Sequence, residues 1–472
     1  MLRFPFRRLA LGLVFTTMLA SCDVLNQDPP MNFTIDDTFA DATRIQSSLY
    51  GVYDGLQNAE FLGGRALIYS DIRGGDTDVP TQYFGNVPLF QMLSTDTYAS
   101  GAWTGGYQTV FAANSFIQNL AANASKVTPE QAAQYTAEAR SIRALTYFHL
   151  VNLFAQPYGF TANASHLGVP LQLTAATGAT EAFESLPARA TVDEVYNQII
   201  TDLTESIPAL PTTNSDDFAR VARMTRGAAQ ALLARVYLFK GDYQKAGDAA
   251  QAVISSGLYG LNADPQTPFD TYTTNESIFS VAMNIQDNPN TNNAIGQHYG
   301  RDRRADIPIS AYLALPTSIF PAGDERRTMV ELTDTNIPFT SKFTTVDTWV
   351  PMVRYSEVLL TRAEALAQTT GVTPEAVTDL NLVRDRSKAA STASYTVASF
   401  PTATDLLSAV RSERRIELAF EGFRLYDLLR YKQGVPAHGI VPAIPYGDNR
   451  LVFPIPNTDI LRNPNLVQNP GY

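Results

Sequence analysis

Residues 234–256 read Ala-Arg-Val-Tyr-Leu-Phe-Lys-Gly-Asp-Tyr-Gln-Lys-Ala-Gly-Asp-Ala-Ala-Gln-Ala-Val-Ile-Ser-Ser, two helical patterns hinged on Gly241-Asp242-Tyr243. Ala234 and Tyr237 fall on the first helix, and Ala246, Ala250 and Val253 on the second. Small residues at these places let the two helices approach closely. This is the pattern of a tetratricopeptide repeat, and such a pair cannot bury its apolar face alone. A chain that carries one must therefore stack several. A looser echo occurs over 355–383, with Ala363, Ala365, Ala376 and Leu380. The expectation is a mainly α fold with an α-solenoid core of tetratricopeptide-like helix pairs.

Other segments agree. Thr128-Pro129-Glu130-Gln131 offers an N-cap, a proline at the first helical position and a capping-box Gln. Thr373-Pro374-Glu375 repeats that start, and Thr191 to Glu194 is a capping box with two acids in the first turn. Between Ile142 and Phe154 apolar residues occur nearly all round, as in a helix buried on most sides. Pro157 and Gly159 end it. Residues 60–100 and 261–350 are rich in Gly, Pro, Asn, Thr and Asp, with a short strand expected over Ser277–Met283. Both read as loop-rich regions where a site could sit on a helical scaffold.

The N-terminus sets the compartment. Arg3, Arg7 and Arg8 precede an apolar run from Leu9 to Leu19, and Leu19-Ala20-Ser21 leads into Cys22, the only cysteine. This is a secretory signal, too short to remain as a spanning helix. Cysteine directly after Leu-Ala-Ser is the lipobox of bacterial lipoproteins. Its thiol would carry diacylglycerol, cleavage would precede Cys22, and the new amine would be acylated. Three chains at about 0.8 kcal/mol per buried CH₂ make a lasting anchor in lipid. A stray exposed thiol after an ordinary signal is the competing reading, and it would be a liability in an exported protein. Cleavage removes three Arg and no acid, which takes the formal charge from −11 to −14. No basic run stands out, so nucleic acid is not an expected partner. Residues 23–37 lack a period and carry two prolines, as a tether or extended arm would.

Chemistry-bearing residues are sparse. Over 411–430 a single helix is expected, carrying Glu413, Glu417, Glu421 and Asp427. Arg414 with Glu417, Glu421 with Arg424 and Arg424 with Asp427 are i, i+3 pairs of opposite sign, which reads as a structural ion-pair network. A glycosidase needs two carboxyl groups set apart across a cleft, not stacked along one helix among arginines. No catalytic residue is therefore assigned. The four histidines, His149, His166, His298 and His438, form no metal-ligand spacing, and His149 falls in the buried helix. Asp71, Asp76 and Asp78 lack a full calcium-loop pattern and read as a solvated acidic loop. No Walker or Rossmann fingerprint occurs, and no cofactor or metal is expected. Flat aromatic faces suit the apolar side of a sugar ring, with polar neighbours for its hydroxyls. Trp103 and Trp349 are the only tryptophans, and the spacing Trp103, Tyr107, Phe111 suits a core stripe as well as a platform. Tyr83, Phe84, Tyr299 and Tyr312 are loop candidates, with Arg73, Asp78, Arg301 and Asp302 as hydrogen-bonding neighbours.

The chain resembles the SusD/RagB family of surface nutrient-binding lipoproteins. Residues 406–431, with Glu413-Arg-Arg-Ile-Glu-Leu-Ala-Phe-Glu-Gly-Phe-Arg424, are similar to the family's "ERR-x-EL-x-FEG-x-R" segment. Arg354-Tyr-Ser-Glu357 with Ala363-Glu-Ala365, Asn381-Leu-Val-Arg384, Gly168-Val-Pro170, the segment 195–203, Phe453-Pro-Ile-Pro456 and the tail 463–472 match further pieces in order. The resemblance implies helix pairs packed against an irregular, loop-rich ligand-binding half. It implies an outer-membrane location facing outward and no catalysis. The implied partner is a TonB-dependent, SusC-like barrel transporter that receives a captured glycan, or in some members a peptide. The expected division is a signal peptide over 1–21, a lipidated tether over 22–40 and one domain over 41–472. Within that domain lie an N-terminal part to about 215, the helix pair over about 221–257, an insertion over about 261–350 and a C-terminal part over about 351–472.

Overall fold

The computed structural model describes residues 34–80, 83–290 and 292–472. The expected signal peptide, Cys22 and most of the expected tether lie outside the described residues. The described end of the tether is not extended throughout: Ile35–Thr38 make one helical turn under a Thr34 capping box.

Eleven helices are labelled in chain order: α1 Ala42–Asp54, α2 Arg65–Gly74, α3 Thr97–Ala122, α4 Pro129–Phe154, α5 Val192–Ser206, α6 Arg226–Lys240, α7 Tyr243–Ser255, α8 Tyr355–Thr369, α9 Pro374–Asp385, α10 Ala403–Glu417 and α11 Arg424–Arg430. Consecutive helices from α3 to α9 pack on one another, and α10 packs on α8 and α9. This is the tetratricopeptide-like stack. The α6–α7 pair turns at Gly241, whose φ of 79° closes α6 in the left-handed region that glycine adopts without strain. Helix α4 starts at the Thr128–Gln131 capping box, α5 at the Thr191–Glu194 box and α9 at Thr373. Each cap satisfies an orphan N–H and contributes about 1 kcal/mol. Residues 141–151 of α4 are all buried. His149 is among them, its imidazole pushed down to about 3 by burial and by Arg235.

Three two-stranded antiparallel sheets are dispersed among the loops: β1 Leu167–Pro170 with β2 Arg189–Thr191, β3 Ser277–Val281 with β6 Val350–Arg354, and β4 Val330–Leu332 with β5 Pro338–Thr340. Strand β3 is buried along its whole length and lies where the sequence placed one. Among the described residues the largest cluster of buried apolar residues runs from Phe39 to Leu466 and joins the helical stack to the loop-rich half, with two smaller clusters beside it.

Two expectations fail. Residues 60–100 are not simply loops, because α2 lies within them with every residue buried. Its flanking glycines are caps rather than loop residues: Gly75 has φ 83° and ends the helix in the left-handed region. Nor is 411–430 one helix. The chain turns at 418–423, where Phe420 has φ 68° and Gly422 φ 83°, and this separates α10 from α11. Only Glu421 with Arg424 is split by the turn; Arg414 with Glu417 and Arg424 with Asp427 keep their spacing inside α10 and α11, yet these side chains take tertiary partners. Glu417 accepts from Arg354 at 3.0 Å and from Arg326 at 2.9 Å, and it also binds Arg386. Glu421 takes Arg354 at 2.7 Å and Lys342 at 2.8 Å. Glu413 takes Arg326 at 2.6 Å, and Arg414 turns to Asp427 at 2.9 Å. Burial alone would raise Glu417, but Arg386, Arg354, Arg326 and Lys342 together hold it well below the carboxylate range.

Candidate functional site

The expected site residues are not brought together. Phe84, Tyr299 and Tyr312 are buried, because long-range packing closes over the loops that carry them. Phe84 sits among Tyr69, Tyr83, Tyr98 and His298. Tyr299 donates to Asp71 at 3.3 Å, and Tyr312 donates to the Ile416 carbonyl at 3.1 Å. Arg73 is buried between the rings of Phe90 and Phe453 and donates to the Arg450 carbonyl at 2.8 Å. The acidic triplet is not a solvated loop. Asp71 is buried, Asp76 holds Arg415 and Arg424, and Asp78 caps the backbone N–H groups of Ser310 and Ala311. Arg301 and Asp302 stay at the surface but pair with each other at 2.6 Å. Tyr83 is half-buried, covered by the Arg304 guanidinium 4.4 Å from its centroid, and its hydroxyl donates to Asn292.

The two tryptophans are also buried, yet each stands beside an open cleft. Trp349 donates from Nε1 to the Met283 carbonyl at 2.8 Å and stacks on Tyr272 with an interplanar angle of 11°. Against its edge, 5.3 Å away, stands Phe218, which is 57 % exposed. Phe218 forms one wall of a cleft of about 400 Å³ between α1, the turn after it, the short helix Asp217–Ala222 and the end of β3. Tyr50, 47 % exposed, forms another part of the wall. Its ring lies 5.6 Å from the Arg223 guanidinium, itself fixed by two hydrogen bonds to buried Glu138. Asp54, Gln57, Asn284 and Asp287 line the cleft with acceptors and amides. Burial, with the nearby Asp287 charge, raises the Asp54 carboxyl. Gln57 donates to the Ala282 carbonyl at 2.7 Å, which ties the turn after α1 to the strand side of the cleft.

Trp103 lies in the wall of a second cleft of about 550 Å³ along α3. It packs on Tyr107 and Phe154, so the stripe Trp103, Tyr107, Phe111 is core at one end and surface at the other, where Phe111 is 48 % exposed. Arg462 and Asp459 from the C-terminal tail complete this cleft.

The first cleft joins exposed aromatic faces to converging polar groups, the combination that pyranose rings require. Its residues were within reach of sequence reasoning. Ile45, Leu49 and Val52 define the buried face of α1, which leaves Tyr50 off it. Phe218 lies two residues past the Asp216 cap, at i, i+3, i+4 spacing with the buried Val221 and Ala222.

Comparison with known proteins bears on the family and the fold. The model of the SusD family matches residues 329–472, and a model described as starch-binding, associating with the outer membrane, matches residues 78–238. SusD-like protein P2 of Formosa agariphila is 28 % identical over 98 % of both chains. A SusD superfamily protein from Bacteroides fragilis superposes with TM-score 0.82 at 29 % identity, covering 91 % of this chain and 100 % of that one. A laminarin-binding SusD-like protein superposes with TM-score 0.73 at 24 % identity, over 92 % and 100 % of the two chains. With both family models, the full-length relative and the superposed folds in agreement, this chain belongs to the SusD family of glycan-binding, outer-membrane-associated proteins.

Proposed function

We propose that the protein is a non-catalytic surface lipoprotein that captures an oligo- or polysaccharide in the cleft of Tyr50 and Phe218. It would pass the glycan to a TonB-dependent, SusC-like barrel transporter. Acyl chains on Cys22 would hold it to the outer membrane, facing outward. The observation that carries the reading is the pairing of two exposed aromatic faces with Asp54, Gln57, Asn284 and Asp287 in one open cleft. The clustered carboxylates elsewhere support a binding role over hydrolysis, since Glu413, Glu417, Glu421 and Asp427 are buried and held by Arg or Lys. The laminarin-binding neighbour shares the fold and makes a β-glucan a reasonable first probe.

A second reading, capture of oligopeptides, is favoured by one feature. Asp54, Asp216 and Asp287 give the cleft an acidic rim that would attract a cationic peptide. Affinity electrophoresis against a polysaccharide panel, followed by calorimetry with a peptide digest alongside, separates the two. Retardation by one glycan class without product release supports glycan capture. Heat from the peptide digest alone moves the reading to peptides.

A further inference from the structure

We infer that a small cavity between α2, α10 and α11 is a binding site for one halide ion, chloride in the protein's surroundings. The cavity measures about 20 Å³ and is lined by Arg411, Arg414, Arg415 and Arg424, with Asp71, Asp76 and Asp427. It is large enough for a single water-sized or slightly larger particle.

The surrounding charges do not balance. Asp427 is shared by Arg414 and Arg430, and Asp76 by Arg415 and Arg424. Glu364 binds Arg430 through both oxygens, and Arg411 reaches it only at 3.7 Å. Glu357 is held by Arg235 through both oxygens and stands 4.0 Å from Arg414 Nη2. Six guanidinium groups thus face four carboxylates that accept ion pairs.

Donors are left over on three of the arginines that line the cavity. Arg414 is 1 % exposed, yet its Nη1 and Nη2 make no hydrogen bond. Arg424 Nε, 3.1 Å from Asp76 Oδ2, is misaligned for one, and Arg411 Nε, 3.7 Å from Glu364 Oε1, makes no hydrogen bond. Asp71 also lines the cavity but is hydrogen-bonded elsewhere, to a backbone N–H and a tyrosine hydroxyl. Its Oδ2 accepts from Gly422 N and Tyr299, its Oδ1 is unpartnered, and burial pushes the carboxyl well above its usual range. In the protonated form it becomes one more donor. A buried guanidinium with unmet N–H groups carries a large desolvation penalty. A single monoatomic anion would satisfy several of these donors at once and offset the excess positive charge. A water molecule could accept from two of them and would leave the charge as it is.

The test uses the full chain purified in detergent. In bromide-containing crystals an anomalous peak is expected within hydrogen-bonding reach of Arg414 Nη1 and Nη2. At fixed ionic strength the thermal midpoint should rise with chloride and saturate, while gluconate, too large for the cavity, should give only a shallow trend. Arg411→Gln, at a partly exposed position, and Arg424→Gln should each flatten the chloride dependence. An ordered water in place of the peak, or identical midpoints in chloride and gluconate, overturns the assignment. A bromide peak without saturable stabilisation overturns it as well.

Discussion

Phe218 stands edge-on to Trp349, with ring centroids 5.3 Å apart and an interplanar angle of 89°. The exposed ring is the one that can meet a ligand, and the buried indole is the one that fixes it. Loss of either should therefore read differently. Phe218→Ala removes a half-exposed aromatic face, worth about 1 kcal/mol or roughly fivefold in affinity, with little change in stability. Tyr50→Ala should behave alike, and Phe111→Ala in the second cleft should not change affinity. Trp349→Ala removes a buried side chain and should destabilise the fold by about 3–5 kcal/mol. Calorimetry of the retained glycan and denaturant titration of each variant check the split. Affinity lost with Phe111→Ala but not with Phe218→Ala would transfer the site to the Trp103 cleft.

Glu417 lies at the centre of the cationic network, and its removal should be felt as stability alone. Glu417→Gln leaves Arg354, Arg326 and Arg386 each short of a charge partner in the interior. Breaking a buried network in this way costs about 3–5 kcal/mol. Because the folded carboxyl is held well below its ordinary value of 4.5, its contribution is present above that pH and is lost as pH falls through the folded value. The variant should unfold at lower urea concentration at pH 7 and converge toward the parent in acid. Glycan affinity at pH 7, measured well below the midpoint, should be unchanged. Loss of binding in a folded Glu417→Gln protein would instead make this network part of the site.

His149 gives a pH dependence of defined sign. Its imidazole is neutral in the fold down to about 3, whereas the unfolded side chain titrates near 6.5. Between those values the unfolded state binds the proton and the folded state refuses it, so stability falls as pH falls. One such group contributes a slope of up to about 1.4 kcal/mol per pH unit. His149→Leu should reduce the slope of unfolding free energy between pH 6 and 4.5 by up to about that amount. Equal slopes in parent and variant would mean that the imidazole is solvated.

Local signals carried most of the helical architecture. Thr128, Thr191 and Thr373 mark helix starts because capping chemistry lies within four residues of chain. The α6–α7 pair shows in the sequence because small residues recur at helical spacing around Gly241. What stayed hidden was non-local. Glu417 reads as a partner for Arg414 along one helix, and both do lie in α10, but their side chains turn to partners 31 to 91 residues away or across the 418–423 turn. The same cause buries several of the expected site residues. Tyr299 and Tyr312 sit in polar, loop-like sequence and look available, but buried Asp71 and the Ile416 carbonyl capture their hydroxyls. Tyr50 and Phe218, which line the proposed cleft, lie on a helix and a short capped turn and carry no loop signature.

The contact of α2 with α11 yields a last test, one that needs no glycan. Gly74 closes α2 against Arg424, and a Cβ there would collide with the Arg424 Cβ and Cγ atoms and approach the Leu425 nitrogen to 3.2 Å. These are the near atoms of the side chain and the backbone of α11, so they cannot swing aside as a flexible end could. Gly74→Ala should therefore push α11 away and destabilise the protein by about 1–3 kcal/mol. Gly75→Ala meets open space by comparison, its nearest neighbour being His438 at 3.4 Å, but it would hold alanine at φ 83°. That conformation costs about 1–2 kcal/mol. The two variants separate by context, since shortening Arg424 to alanine should rescue Gly74→Ala in part and leave Gly75→Ala unchanged. Denaturant midpoints of the single and double variants measure the coupling. Strict additivity of Gly74→Ala with Arg424→Ala would show that the helices do not meet there.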